Sequence, residues 1–346
     1  MQDLLFNAMG AVGRLSLNRP KAIHALTRDM CLAMTSALDR FAAAPSVTTI
    51  IIDHAAGRGF CAGGDIAMMR HSVLNDGGEA ARQFFFDEYR LNHQMFTYPK
   101  PVVTFMDGIT MGGGVGIALP ARFRVATENT RLAMPEAAIG LFPDVGGGWF
   151  LSRLQHRIGQ YLAISDSRIN GADCLWLGLA THYLPADQVA EAKRRMTMGE
   201  DAEAVLDELA IAPPPAPIEA QAAQIRQHFS HERLEDILAS LAADESDWAR
   251  ATRATILEKC PMTCKVALRQ LARARVLTDF ADNMAMEYRI ACRMIMRPDF
   301  AEGVRAVILD KDRAPKWDPP RAEEVSDDAV DAIFAPLPAD AEWRAR

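Results

Sequence analysis

The sequence has no apolar run near the ~18 residues that a membrane span requires, and it has no excess of basic charge. Its 38 lysines and arginines are outnumbered by 45 aspartates and glutamates, giving a net charge of −7 over 346 residues. A general nucleic-acid binder shows the opposite balance or a basic patch, and the short cluster Lys193-Arg-Arg195 reads as an exposed helix face. Cysteine is sparse. Six residues (Cys31, Cys61, Cys174, Cys260, Cys264 and Cys292) are scattered along the chain, and the nearest pair, Cys260 and Cys264, lacks the further ligands of a zinc site. That is the pattern of free thiols in a reduced compartment, not of a disulfide framework. The N-terminus, Met1-Gln-Asp-Leu-Leu-Phe, shows neither a signal peptide nor an Arg/Ser-rich transit segment, so the expected location is cytoplasmic. No G-x-x-x-x-G-K-[ST] occurs, which removes a P-loop, and no G-x-S-x-G occurs, which disfavours a serine thioesterase. Among the eight histidines only His228-x-x-His231 approaches metal spacing, and it reads as a solvated helix face.

What is present is 49% apolar material, enough for one large domain or two moderate ones. From residue 1 to about 210, β-like runs alternate with helical patterns. Val12–Leu17, Val47–Asp53, Pro101–Met106, Phe123–Ala126 and Arg131–Met134 read as strands, and Thr27 as the cap of a helix that buries Met30, Met34, Ala37, Leu38 and Phe41. Strands alternating with helices indicate an α/β fold. Pro213-Pro-Pro-Ala-Pro217 breaks the pattern, and residues 218–346 form a C-terminal region whose periodicity, through residue 310, is only helical.

Glycine carries the chemical signal. Three stretches stand out: Gly57-Arg-Gly-Phe-Cys-Ala-Gly-Gly-Asp65, Gly108-Ile-Thr-Met-Gly-Gly-Gly-Val-Gly116 and Gly146-Gly-Gly148. The first two each follow a strand-like run and precede a helical pattern, an arrangement that presents backbone N–H groups to an oxygen anion. A dinucleotide fingerprint is absent, since Ile117 stands where G-x-G-x-x-G needs its third glycine. Beyond them, in Met134-Pro-Glu-Ala-Ala-Ile-Gly-Leu-Phe-Pro-Asp144, two carboxylates lie eight residues apart in apolar surroundings. Desolvation there raises a carboxyl pKa and suits it to proton or nucleophilic work. Glu136 equally suits the first turn of a helix after Pro135.

These motifs together resemble the crotonase (enoyl-CoA hydratase/isomerase) superfamily. The run GITMGGGVG…RVATENTRLAMPEAAIGLFPDVGGGWFLSRL is similar to its 3-hydroxyisobutyryl-CoA hydrolase branch, from about Gly13 to about Leu184, with RPDFAEGVR near residues 297–305 also fitting. The resemblance implies a crotonase-like spiral core of ββα units with a helical C-terminal region. It implies thioester hydrolysis of 3-hydroxyisobutyryl-CoA or a similar short 3-hydroxyacyl-CoA, in valine degradation, with no cofactor because CoA belongs to the substrate. It places an oxyanion hole at the N–H groups of Ala62 and Gly113, catalysis at Glu136 and Asp144, acyl binding at Glu88, and the CoA adenine along Cys61, Gly64, Asp65 and Ile66. Glu136 would attack the carbonyl or activate water, and Asp144 would meet the 3-hydroxyl or the leaving sulfur. Hydratases of the superfamily carry a second glutamate where this chain has Gly116, which speaks against the alternative of an enoyl-CoA hydratase or isomerase. A non-catalytic acyl-CoA- or RNA-binding relative is disfavoured by the retained carboxylates and the acidic charge. The expected partner is an acyl-CoA, without nucleic acid or membrane, in a possible homo-oligomer. The longer C-terminal region would fold over this chain's own site or a neighbour's.

Overall fold

The computed structural model describes residues 2–346. Its strands are β1 (Leu4–Met9), β2 (Val12–Leu17), β3 (Thr49–His54), β4 (Gly59–Cys61), β5 (Val102–Met106), β6 (Ile109–Met111), β7 (Phe123–Ala126), β8 (Arg131–Ala133), β9 (Ile169–Asn170) and β10 (His182–Tyr183). They form a six-stranded sheet in the order β1-β2-β3-β5-β7-β10 and a four-stranded sheet in the order β4-β6-β8-β9. The first half supplies helices α1 (Arg28–Ala43), α2 (Ile66–Asn75), α3 (Glu79–Phe96) and the single turn α4 (Gly113–Gly116). Then come α5 (Gly147–Ser152), α6 (Ile158–Ser165), α7 (Gly171–Trp176), α8 (Val189–Thr197) and α9 (Ala202–Leu209). After the proline-rich break follow α10 (Pro217–Phe229), α11 (Leu234–Ala243), α12 (Asp247–Leu257), α13 (Pro261–Ala274), α14 (Phe280–Met294), α15 (Pro298–Val304) and α16 (Asp327–Ile333).

The chain builds this as a spiral. β3, β5 and β7 go to the large sheet, and the strands that follow them, β4, β6 and β8, go to the small one. β4, β6 and β8 run parallel, with Cys61 opposite Thr110 and Met111 opposite Ala133. Their C-terminal ends therefore release three loops side by side, carrying Gly63-Gly64, Gly112-Gly113 and Glu136. The carboxyl ends of parallel strands are where α/β folds place ligands.

The expected strands and the Thr27 cap are in place, Thr27 Oγ1 accepting from Met30 N at 3.2 Å. β4 and β6 lie inside the glycine stretches, too short and too glycine-rich to show a two-residue period. Beyond residue 217 all the regular structure is helical. α13 packs on α5 and α6, and α14 on α3, so helices of the C-terminal region share one apolar core with the sheets. All six cysteines are buried free thiols, and among the described residues no helix is long and apolar enough to cross a membrane. Two surface expectations need correction. His228 is buried between Ser240 Oγ (2.9 Å) and Asp244 Oδ2 (3.0 Å), a pairing across the α10–α11 packing that the H-x-x-H spacing does not reveal. Lys193 turns inward to the buried Asp53 at 2.7 Å, whereas Arg194 and Arg195 form ion pairs with surface glutamates.

Candidate active site

A cavity of about 510 Å³ opens at the ends of β4, β6 and β8. Its floor is the two glycine loops together with Glu88, Glu136 and Asp144, all three at most 5% exposed. Helix α3 brings Glu88, because residues 84, 85, 88, 89, 92 and 95 share one buried stripe at helical spacing. Glu136 opens a single 3-10 turn, Glu136–Ile139, directly beyond β8. Asp144 heads the Pro143–Gly148 turn. The roof comes from the C-terminal region: Thr255 in the last turn of α12, Glu258 and Lys259 just after it, and Val307, Ile308, Arg313 and Pro315 beyond α15. The long helical tail thus covers this chain's own cavity.

The oxyanion expectation needs correction at Ala62. The N–H of Ala62 donates to Ile23 O at 2.9 Å and is spent there. The N–H groups of Gly64 and Gly113 donate to no protein acceptor among the described residues. They are close, since a Cβ on Gly113 would lie 3.2 Å from Gly64 N and 2.6 Å from Glu88 Oε1. Of the residues expected along the adenine, Gly64 and Ile66 line the cavity; Cys61 and Asp65 do not. Cys61 Sγ lies 3.2 Å from His24 O. Asp65 caps α2, accepting from Met68 N at 3.2 Å, and pairs with Arg19 at 3.3 Å.

The three carboxyls differ in their partners. Tyr89, next to Glu88 on α3, donates its hydroxyl to Asp144 Oδ2 at 2.8 Å. Glu88 Oε1 and Glu136 Oε2 have no hydrogen-bond partner among the described residues. Burial drives all three pKa values up, and the charge of Asp144 adds to the rise at Glu88 and Glu136. Burial lifts Asp144 to about 7, against the Tyr89 hydroxyl, which stabilises its ionised form. Three buried carboxyls facing one cavity resist being charged together, so their protons titrate as a group rather than one by one. Beside Glu136, the inward-facing Asp166 is paired with Lys259 at 2.8 Å. Tyr89, Asp166 and Lys259 carry no sequence signal beyond Tyr89 neighbouring Glu88.

Gly116 is closed to a side chain: a Cβ there would come within 2.5 Å of Val145 Cβ and 3.0 Å of Asn92 Nδ2. No carboxylate fits where hydratases of the superfamily carry their second glutamate.

The two-sheet spiral and the paired loops at its edge define a crotonase-type fold, and the family model described as enoyl-CoA hydratase/isomerase matches residues 12–334. The chain belongs to the enoyl-CoA hydratase/isomerase family. Within it, the chain is similar to proteins named 3-hydroxyisobutyryl-CoA hydrolase, mitochondrial. That of Xenopus tropicalis is 38% identical over 349 residues, covering 97% of this chain and 89% of the relative. The one from Homo sapiens is 37% identical over 351 residues, with the same coverage. The word mitochondrial in those names overturns the cytoplasmic expectation, which was drawn from the N-terminal residues alone. Among solved structures, a carnitinyl-CoA dehydratase from Mycobacterium thermoresistibile is 39% identical with a TM-score of 0.94, covering 98% of each chain. An enoyl-CoA hydratase from Rhodobacter sphaeroides 2.4.1 is 33% identical with a TM-score of 0.92, covering 99% of each. Names of hydrolases and of lyases therefore meet on one fold, and the site must separate them.

Proposed function

We propose that this chain hydrolyses the thioester of 3-hydroxyisobutyryl-CoA, or of a similar short 3-hydroxyacyl-CoA, to the free acid and CoA, as a step of valine degradation. The observation that carries the reading is the exchange of carboxylates. Position 116 has no room for an acid, and Asp144 faces the same cavity from another turn. Hydration of an enoyl thioester needs one carboxylate to activate water and another to protonate the α-carbon. Hydrolysis needs a base or nucleophile at the carbonyl and an oxyanion hole.

The Gly64 and Gly113 N–H groups would hold the thioester oxygen as it gains charge, each such donor being worth about 10²–10³ in rate. Two carboxyls border that position, Glu88 with its Oε1 against Gly113 and Glu136 with its Oε1 against Gly112; the chemical role is assigned to Glu136. It would attack the carbonyl to form an anhydride that water opens, or deprotonate the attacking water. Asp144 would carry the proton to the departing thiolate or bind the 3-hydroxyl, oriented by Tyr89. The competent state then carries one proton on the two carboxyls, on Asp144 when Glu136 reacts as nucleophile or base, so that substrate binding must move the proton that the Tyr89 hydrogen bond otherwise keeps off Asp144. Glu88 would border the acyl group.

The test is thiol release from 3-hydroxyisobutyryl-CoA followed with a thiol reagent, run beside enoyl absorbance of crotonyl-CoA. Thiol release without hydration supports hydrolysis. Loss of enoyl absorbance without thiol release overturns it in favour of a hydratase.

A further inference from the structure

The third glycine stretch, Gly146-Gly-Gly148, takes no part in the proposed oxyanion hole. Two of its N–H groups point away from the cavity, to the buried carboxylate of Glu287 on α14. Gly146 N donates to Glu287 Oε2 at 2.7 Å and Gly148 N to Oε1 at 2.9 Å. Oε1 also accepts from Asn283 Nδ2 at 2.9 Å and Gln270 Nε2 at 3.0 Å, and Gln270 Nε2 donates to Pro143 O at 2.8 Å. Four donors on one fully buried carboxylate, with a fifth link back to the start of the turn, enclose Pro143–Gly148 from behind.

The enclosed turn holds an unfavourable backbone. Val145 has φ of 53°. A β-branched residue in the left-handed region is a genuine outlier and persists only where its surroundings over-determine it. Gly148 is the residue that lets the backbone approach, since a Cβ there would lie 2.9 Å from Glu287 Oε1. The outcome of this twist is functional on both sides. Asp144 is turned into the cavity toward Tyr89, and the Val145 side chain fills the space against Gly116.

We propose that Glu287 is a positioning residue for the reaction: its grip on Gly146 and Gly148 holds Val145 in the left-handed conformation, and through it aims Asp144 at the acyl group. This rests on the proposed role of Asp144 in hydrolysis. Glu287 itself does not line the cavity.

A double-mutant cycle on the full chain tests it, using thiol release for kcat and KM and circular dichroism for folding. Glu287→Gln keeps the shape but turns an amide donor toward a backbone donor. It should lower kcat about 30- to 100-fold, the scale of a ~1 Å misplacement, with KM changed less than about threefold. Combined with Asp144→Asn, it should be no worse than Asp144→Asn alone within about threefold, because both remove one function. Adding Val145→Gly to Glu287→Gln should recover about tenfold, since glycine takes a positive φ without a Cβ penalty. If Glu287→Gln does not fold, Gln270→Leu removes two links of the same enclosure without a charge change and should give the same non-additive pattern at about a tenfold loss. Losses that multiply, or a folded Glu287 variant with wild-type kcat, overturn the proposal. No gain from glycine at 145 overturns the route through that residue. Wild-type kcat in Asp144→Asn alone would instead overturn the role assigned to Asp144.

Discussion

The turns at Gly63-Gly64 and Gly112-Gly113 resemble the turn at Gly146–Gly148 in composition, yet they are used in opposite ways. In the first two, the Gly64 and Gly113 N–H groups face a cavity and donate to nothing among the described residues. In the third, Gly146 and Gly148 donate to Glu287, and what reaches the cavity is the aspartate at the head of the turn. Glycine allows a backbone to come close. Whether it comes close to substrate or to a buried carboxylate depends on the rest of the fold. Ala62 teaches the same lesson within a single loop: two residues from Gly64, its N–H is already bonded to Ile23.

The most damaging way to break the comparison is to remove the group that gives the free N–H pair its purpose. Glu136→Gln keeps the shape and deletes base and nucleophile together. Hydrolysis should fall by ~10³-fold or more while CoA-ester binding persists, read from kcat and from equilibrium binding of a non-hydrolysable analogue. A variant that keeps a tenth of wild-type kcat would remove Glu136 from the chemistry.

Next is the free N–H itself. Gly64→Pro deletes the donor at a residue whose φ lies outside the left-handed region and should cost about 10²–10³ in kcat, once circular dichroism shows the loop survives. Normal turnover would mean that Gly64 is no different from Ala62. At the third turn, Asp144→Asn should cost about 10² in kcat, the scale of one positioned acid or base. Undiminished hydrolysis there would leave Glu136 working with another acid.

Much of this was legible in the sequence, and what was not has physical reasons. Long strands and capped helices announce themselves through period and cap, as Val12–Leu17 and Thr27 do. The glycine loops suggested a site for an oxygen anion, while Glu136 and Asp144 were assigned to catalysis only through the family resemblance; both line the cavity. Which N–H is free cannot be read from a motif, because it depends on Ile23, 39 positions before Ala62 in the chain. Glu287 follows Asp144 by more than a hundred residues and looks like any acid on an amphipathic helix until α14 packs beneath the turn. Gly116 was read as a missing acid; the fold adds that Val145 and Asn92 occupy its space. Substituting glutamate there would clash, so it would not restore hydration.

The smallest expected effect concerns stability and separates the two kinds of turn by their carboxyls. Burial raises Asp144 to about 7 from an ordinary value of 3.8. The folded protein therefore holds this proton more tightly than the unfolded chain does. Its contribution to stability is complete below about pH 4 and is lost as pH rises toward 7. Glu88 and Glu136 are shifted the same way, partly by the charge of Asp144. Wild-type stability in urea should consequently decline between about pH 4 and 7, at up to ~1.4 kcal/mol per pH unit for each proton released. Asp144→Asn, which imitates the protonated acid and relieves its two neighbours, should flatten that decline. Parallel pH curves for the two proteins would mean that Asp144 is charged and well solvated in the folded state, and that the Tyr89 hydroxyl does not orient a buried acid.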